Sequence, residues 1–208
     1  MKIEVPNTLN DIPLKNYQKL LKLEEANEID TIAILLGVSE TIVRNLKAVS
    51  VTELNQHLSK LFDRQHNLQR HFKIDGKEFG FIPNLDDATW GEINDIETTI
   101  GKFDEMHRAM AVLYRPVTLK KKDKYLIEEY EPGKYNDLMK DAPLGAVMGA
   151  NVFFYNLMKD LSKSTLSYMK EEVQLAKDKG ILDENGESMD SYLTLLEGMS
   201  FDWNKHLN

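Results

Sequence analysis

Cysteine is absent from the 208 residues. Disulfides, thiolate zinc sites, iron–sulfur clusters and cysteine nucleophiles are therefore excluded, and nothing calls for an oxidising compartment. Long apolar runs are also lacking. The longest, residues 142–158, is interrupted by Gly145, Gly149, Asn151 and Asn156 and ends in Lys159-Asp160. It falls short of the roughly 20 residues that span a bilayer and reads as a buried core helix, so no membrane association is expected. The first residues, Met1-Lys2-Ile3-Glu4-Val5-Pro6, lack the basic start and apolar run of a signal peptide, which predicts a reducing cytoplasm. Basic charge is in deficit, with 26 Lys and Arg against 34 Asp and Glu. The formal net charge of -8 disfavours nucleic acid as a partner.

What remains, 42% hydrophobic residues in a chain of this length, suffices for one sizeable core. The expected fold is mainly α (α+β), a multi-helix domain with a small antiparallel β-hairpin or sheet. It is expected to occupy residues 1–178, with a short acidic C-terminal extension over 179–208. Residues 1–5 alternate apolar and polar side chains before Pro6, which predicts a short edge strand. A helix from about Pro13 carries Leu14, Tyr17, Leu20 and Leu21 as one stripe. Two short helices, 30–36 and 39–48, flank Gly37-Val38. A fourth is predicted to open at Ser50, where Ser50-x-x-Glu53 reads as a capping box, and to bury Leu54, Leu58, Leu61 and Phe62.

The pattern then switches. Phe72-Lys73-Ile74 and Phe79-Gly80-Phe81 flank Asp75-Gly76, a dipeptide that tolerates the positive φ angles of a tight hairpin turn. Thr89-x-x-Glu92 is a second capping box, opening a helix with Trp90, Ile93, Ile96 and Ile100. The next helix, 103–114, stops at Pro116. Lys120 to Lys124 reads as an exposed basic connection and Tyr125-Leu126-Ile127 as a strand joining the hairpin. Residues 135–140 form one or two helical turns, and 143–177 one long helix, apolar almost all round in its first half and amphipathic in its second. An acidic turn at 183–187 and a short helix at 188–196 precede Phe201 and Trp203. Phe79, Phe81, Trp90, Phe153, Phe154 and Tyr155 are the expected aromatic core. Phe201 and Trp203, in a polar tail, need a surface to pack on and are the candidate partner-binding residues.

The motifs of catalysis are missing. There is no phosphate loop, nucleophile elbow or dinucleotide fingerprint, and no carboxylate pair stands out as acid and base. His57, His66, His71 and His107 lack the ligand spacing of a metal site. No catalytic residue, cofactor or metal is expected. Residues 31–46 have the spacing of a helix-turn-helix, yet Glu40 and the acidic stretch 24–28 are poor phosphate chemistry. Gly145-x-x-x-Gly149 reads as a site of close helix packing, with a membrane dimer motif as the alternative.

Phe79-Gly80-Phe81-Ile82-Pro83-Asn84-Leu85-Asp86-Asp87 with Gly91-Glu92, and Met106-His107-Arg108-Ala109-Met110-Ala111-Val112-Leu113-Tyr114-Arg115-Pro116, resemble a group of small tailed-bacteriophage proteins. Tyr125 to Glu131 and Gly149-x-x-Val152-Phe153-Phe154 add to it. The stretch Ile34-Leu35-Leu36-Gly37-Val38-Ser39, with the later Leu54 to Leu61 helix, resembles tail assembly chaperones. The resemblance covers most of residues 12–160 and implies a helical, acidic, non-enzymatic protein that holds phage structural proteins (tail tube, tape measure or neck) before assembly. It places the chain in the cytoplasm of the infected bacterial host, with incorporation in the virion as the second reading. A homo-oligomer is compatible with both, and a DNA-binding protein is the third reading.

Overall fold

The structure, a computed structural model, describes residues 4–122 and 124–178, without the side chains of residues 176 and 177. It is an α+β fold, with seven α-helices and one four-stranded antiparallel sheet among the described residues. The helices are α1 (Leu14–Leu21), α2 (Glu28–Leu36), α3 (Glu40–Arg44), α4 (Ala48–Phe62), α5 (Trp90–Thr99), α6 (Met106–Leu113) and α7 (Leu144–Asp178). The strands β1 (His71–Ile74), β2 (Lys77–Phe81), β3 (Tyr114–Lys121) and β4 (Lys124–Ile127) form a meander in the order 1-2-3-4. The chain divides into two units, Met1–Phe153 and Phe154–Asn208, with the division inside α7.

The β1–β2 turn is the one the sequence predicts. Asp75 and Gly76 have φ of 49° and 78°, and Ile74 pairs with Lys77 across them. Two left-handed residues give a turn whose twist matches that of the flanking strands. The register pairs Phe72 with Phe79, and one face of the sheet gathers Phe72, Phe79, Phe81 and Tyr114. Phe81 packs edge-on against both Tyr114 and Phe153. On the other face the Tyr125 ring lies over Gly80, where a Cβ would stand 2.7 Å from it, and the Tyr125 hydroxyl donates to the Phe81 carbonyl at 2.6 Å.

α6 is the centre of the first unit. Met106, Ala109, Met110, Ala111, Val112 and Leu113 are all buried, and the helix passes into β3 at Tyr114 without a loop. Pro116 does stop the helix. Its fixed φ, however, suits an extended strand, and its carbonyl accepts from Glu128 N at 2.9 Å. The predicted basic connection is therefore mostly strand. Lys120 and Lys121 end β3, Lys124 begins β4, and β4 joins the sheet through β3, past a bulge between Val117 and Leu119.

Other expectations need correction. Glu4 and Val5 are irregular, so the described part of the expected edge strand does not form. Ser50 is inside α4, which begins a turn earlier behind Lys47; nothing between Leu46 and Ser50 resists helix, so its hydroxyl has no terminus to cap. The capping boxes that form are Thr8–Asp11, Asn27–Asp30 and Thr89–Glu92. In α1 the apolar stripe buries Leu14 but leaves Leu21 exposed, while Asn16 and Gln18 are buried. Trp90 is 83% exposed, because it is the first residue of α5 and the helix buries the Glu92–Ile96–Thr99 side. Tyr155 is also outside the core.

The start of α7 is the most tightly held. Leu144, Ala146, Val147 and Ala150 are fully buried, and Leu144 N and Leu14 N bond across to Ile12 O and Ala142 O. Gly149 meets the backbone of Asn67: a Cβ would overlap that carbonyl oxygen and lie 2.8 Å from its carbon. Gly145 faces the Asn10 side chain instead, which exchanges two amide bonds of 3.0 Å with Gln69. Close packing is the use this glycine pair has within the first unit. Among the described residues no helix is long and apolar enough to cross a membrane.

Candidate functional site

Three features bear on function: a buried charged cluster, a polar cavity beside it, and an exposed apolar helix face. The cluster begins with Thr89, whose extended backbone ends the preceding loop and whose hydroxyl accepts from Glu92 N at 3.3 Å. One carboxylate oxygen of Glu92 takes the Thr89 amide and hydroxyl, each at 2.7 Å, and the other takes Arg115 Nη2 at 2.6 Å. Both members of this ion pair are buried, Glu92 by its place in the first turn of α5 and Arg115 by β3. The Arg115 guanidinium lies 5.9 Å from the centre of the Tyr130 ring. The Tyr130 hydroxyl donates to Asp95, and burial together with that carboxylate pushes the phenol up to about 12.

The cavity, of about 250 Å³, is lined by Asp95, Thr99, Arg108, Ala111, Val112 and the segment Tyr130 to Gly133 with Asn136. Its charged groups are already engaged. Asp95 accepts from Tyr130, and Arg108 bonds Glu105 at 3.1 Å. The arrangement braces α5 and α6 against the chain that leaves β4, and its chemistry is that of a structural clamp. The start of α5, β3 and the chain that follows β4 meet in this cluster through Glu92, Arg115 and Tyr130.

His57 and His66 each have a backbone partner, whereas the buried Nδ1 of His71 has no hydrogen-bond partner. His57 Nε2 lies 2.8 Å from Pro6 O, and His66 Nε2 lies 3.1 Å from Phe62 O. His71 packs edge-on against Tyr125 and stands 3.4 Å from Glu78. No group of three or more His, Asp or Glu among the described residues is placed to hold a metal ion. In the helix-turn-helix stretch, Gly37 adopts the left-handed turn (φ 65°), but α3 is five residues long and Arg44 reaches back to Glu40 at 3.4 Å. Phe201 and Trp203 lie outside the described residues.

His107 provides a test of the interior. The Gln18 amide nitrogen donates to Phe103 O and Asp104 O at 2.8 and 3.0 Å, which fixes it as a donor, and it stands 3.1 Å from His107 Nδ1. That ring nitrogen must then accept, leaving the proton on Nε2. Burial lowers the His107 pKa, and Lys140 and Arg108 lower it further, against Asp137 and Glu105. A histidine that resists protonation only when folded makes the unfolded state the better proton binder as pH drops. Stability is therefore full above about 6.5 and declines as pH falls from there toward the folded-state value. His107→Gln is expected to make that decline shallower, measured as urea midpoints between pH 7.5 and 5.5; an unchanged slope would contradict a ring kept neutral by the fold.

The third feature is in the second unit. Residues 154–178 of α7 carry Leu157, Met158, Leu161, Tyr168 and Leu175, all exposed, with Leu161 at 58% and Tyr168 at 63%. Spacings of three, four and seven put them on one side of the helix, and Lys159, Lys163 and Lys170 fall on the other by sequence. The charge pattern gave the amphipathicity of this half away; that its apolar side meets solvent was not legible. No protein-family model, curated protein or solved structure matches this chain.

Proposed function

We propose that this chain is a non-enzymatic bacteriophage assembly protein that docks a tail component on the apolar face of α7. The single observation that carries the reading is that face, with Leu157, Met158, Leu161, Tyr168 and Leu175 aligned and exposed on an acidic chain. Exposed apolar side chains aligned along a helix mark interaction sites. A helix face is the right shape for holding a polymerising subunit, and a net charge of -8 keeps such a complex dispersed. The resemblance of most of residues 12–160 to small tailed-phage proteins supplies the context.

The test is quantitative mass spectrometry of purified virions beside lysate of infected cells, with pull-downs from that lysate. A chaperone is expected in the lysate and absent from particles, and Leu161→Glu is expected to reduce capture of tail tube, tape-measure or neck proteins at least about tenfold, as loss of a central apolar contact does. A fixed copy number in the particle would overturn the chaperone reading in favour of a structural protein of the mature virion.

A further inference from the structure

We propose that the outer face of the β3–β4 hairpin is a docking site for a second copy of this chain, which seats on it, head to tail, the segment linking α1 to α2. The contact lies wholly in the first unit, goes beyond the docking reading of α7 and does not depend on it.

The hairpin has two unlike faces because side chains alternate along a strand. On one face Tyr125 is buried over Gly80 and donates to the Phe81 carbonyl, and Lys120 donates to Glu78 at 2.6 Å. These contacts fix the hairpin to the sheet. The other face carries two cross-strand pairs, Leu119 opposite Leu126 and Lys121 opposite Lys124. Both leucines are more than half exposed, both lysines are exposed, and β4 is an edge of the sheet. Like charges set opposite one another weaken a strand pair. Among the described residues nothing relieves them, since Lys121, Lys122 and Lys124 have no hydrogen bond or ion pair. Lysines on an edge strand ordinarily keep other strands away, but that purpose needs no leucine pair beside them. The face as built calls for carboxylates next to apolar side chains.

That chemistry is present on the same unit. Residues 21–28 are all exposed, and they place Leu21 and Leu23 just before Glu24 and Glu25, where the chain bends between α1 and α2. Glu24 and Glu25 also have no hydrogen bond or ion pair among the described residues. Two leucines and two carboxylates thus answer two leucines and two lysines. Eight large apolar side chains of the first unit are exposed among the described residues, and four of them are in these two places. The charge contrast is equally local: residues 119–126 hold four lysines and one aspartate, a net +3, which leaves the rest of a chain of net charge -8 at -11. Because the two patches differ, a copy that uses one keeps the other open, and the contact closes a ring or extends a chain of copies.

Sedimentation velocity of the full chain over a wide concentration range is the test. Mean mass is expected to rise with concentration and to fall as salt screens the charges. Lys121→Glu with Lys124→Glu is expected to weaken association at least about tenfold, and so is Glu24→Lys with Glu25→Lys, since each sets like charges across the contact. Each substitution moves the net charge by two, so from -8 the first pair gives -12 and the second -4, and general repulsion cannot weaken both. Mixed in equal amounts, the two variants are expected to associate again. The unaltered hairpin of the second then meets the unaltered loop of the first, and the acidic hairpin of the first meets the basic loop of the second. A parent chain that is monomeric at every concentration, either variant associating as the parent does, or a mixture that stays apart would overturn the proposal. Leu161→Glu is expected to leave association unchanged; its loss there would assign self-association to α7 and overturn the proposal as well. The assay needs only the isolated protein, so its outcome is separate from that of the virion and capture experiments.

Discussion

Arg115→Met is expected to cost about 3–5 kcal/mol of folding stability, the loss that results when one partner of a buried ion pair is removed and the other stays behind. The stranded group is Glu92, 4% exposed, whose carboxylate would keep its two bonds to Thr89 and lose the 2.6 Å contact that balances its charge. Adding Glu92→Gln should return most of that loss. Glutamine still accepts from Thr89 at the start of α5 and no longer brings a charge into the core. The two substitutions are therefore strongly non-additive, and a double-mutant cycle from guanidinium denaturation measures the coupling. A loss below about 1 kcal/mol for Arg115→Met would mean that solvent reaches the pair and that it behaves as a surface bridge.

The second large effect distinguishes two glycines four residues apart. Gly149→Ala gains about 1 kcal/mol of helix propensity, but its methyl would overlap the Asn67 carbonyl, and backbone cannot rotate away as a side chain can. A net loss of about 2–4 kcal/mol is expected, at the upper end of overpacking penalties. Gly145→Ala meets only the Asn10 carboxamide, which can swing out at the cost of its exposed bonds to Gln69. Loss and helix gain then offset to within about 1 kcal/mol. Urea unfolding of the two variants side by side decides the matter: similar midpoints would show that α7 does not rest on the Asn67 backbone.

Local signals in the sequence were reliable where the physics is local. Asp75-Gly76 and Thr89-x-x-Glu92 specify a turn and a helix start through their own backbone, and both are found. Ser50-x-x-Glu53 has the same letters, but the chain before it is free to be helical, so the hydroxyl meets no helix end. β3 was missed because a proline after a helix reads as a stop, and only the pairing of Phe79, Gly80 and Phe81 with Pro116, Arg115 and Tyr114 makes the next residues a strand. Non-local partners also explain the buried polar groups. Asn16 reaches the end of α2, Gln18 serves carbonyls 85 and 86 residues away, and Arg115 is buried because Glu92 waits for it. No periodicity in α1 or β3 announces these. The candidate site was legible only in part: Thr89-x-x-Glu92 announces a helix start, and its link to Arg115 and Tyr130 comes from the fold. The expected core position of Trp90 failed for the converse reason, since an aromatic residue is assigned inward unless its place on the helix is known.

Glu92 has two obligations at once, to the first turn of its own helix and to an inner strand of the sheet. Helix ends ordinarily fray on their own, ahead of the rest of the molecule. Here the residue at the third position of the helix also holds Arg115 through its carboxylate, so the start of α5 is expected to open together with β3. The turn that would otherwise be the most dynamic part of α5 is expected to join the global unfolding unit, with its amide exchange governed by the sheet.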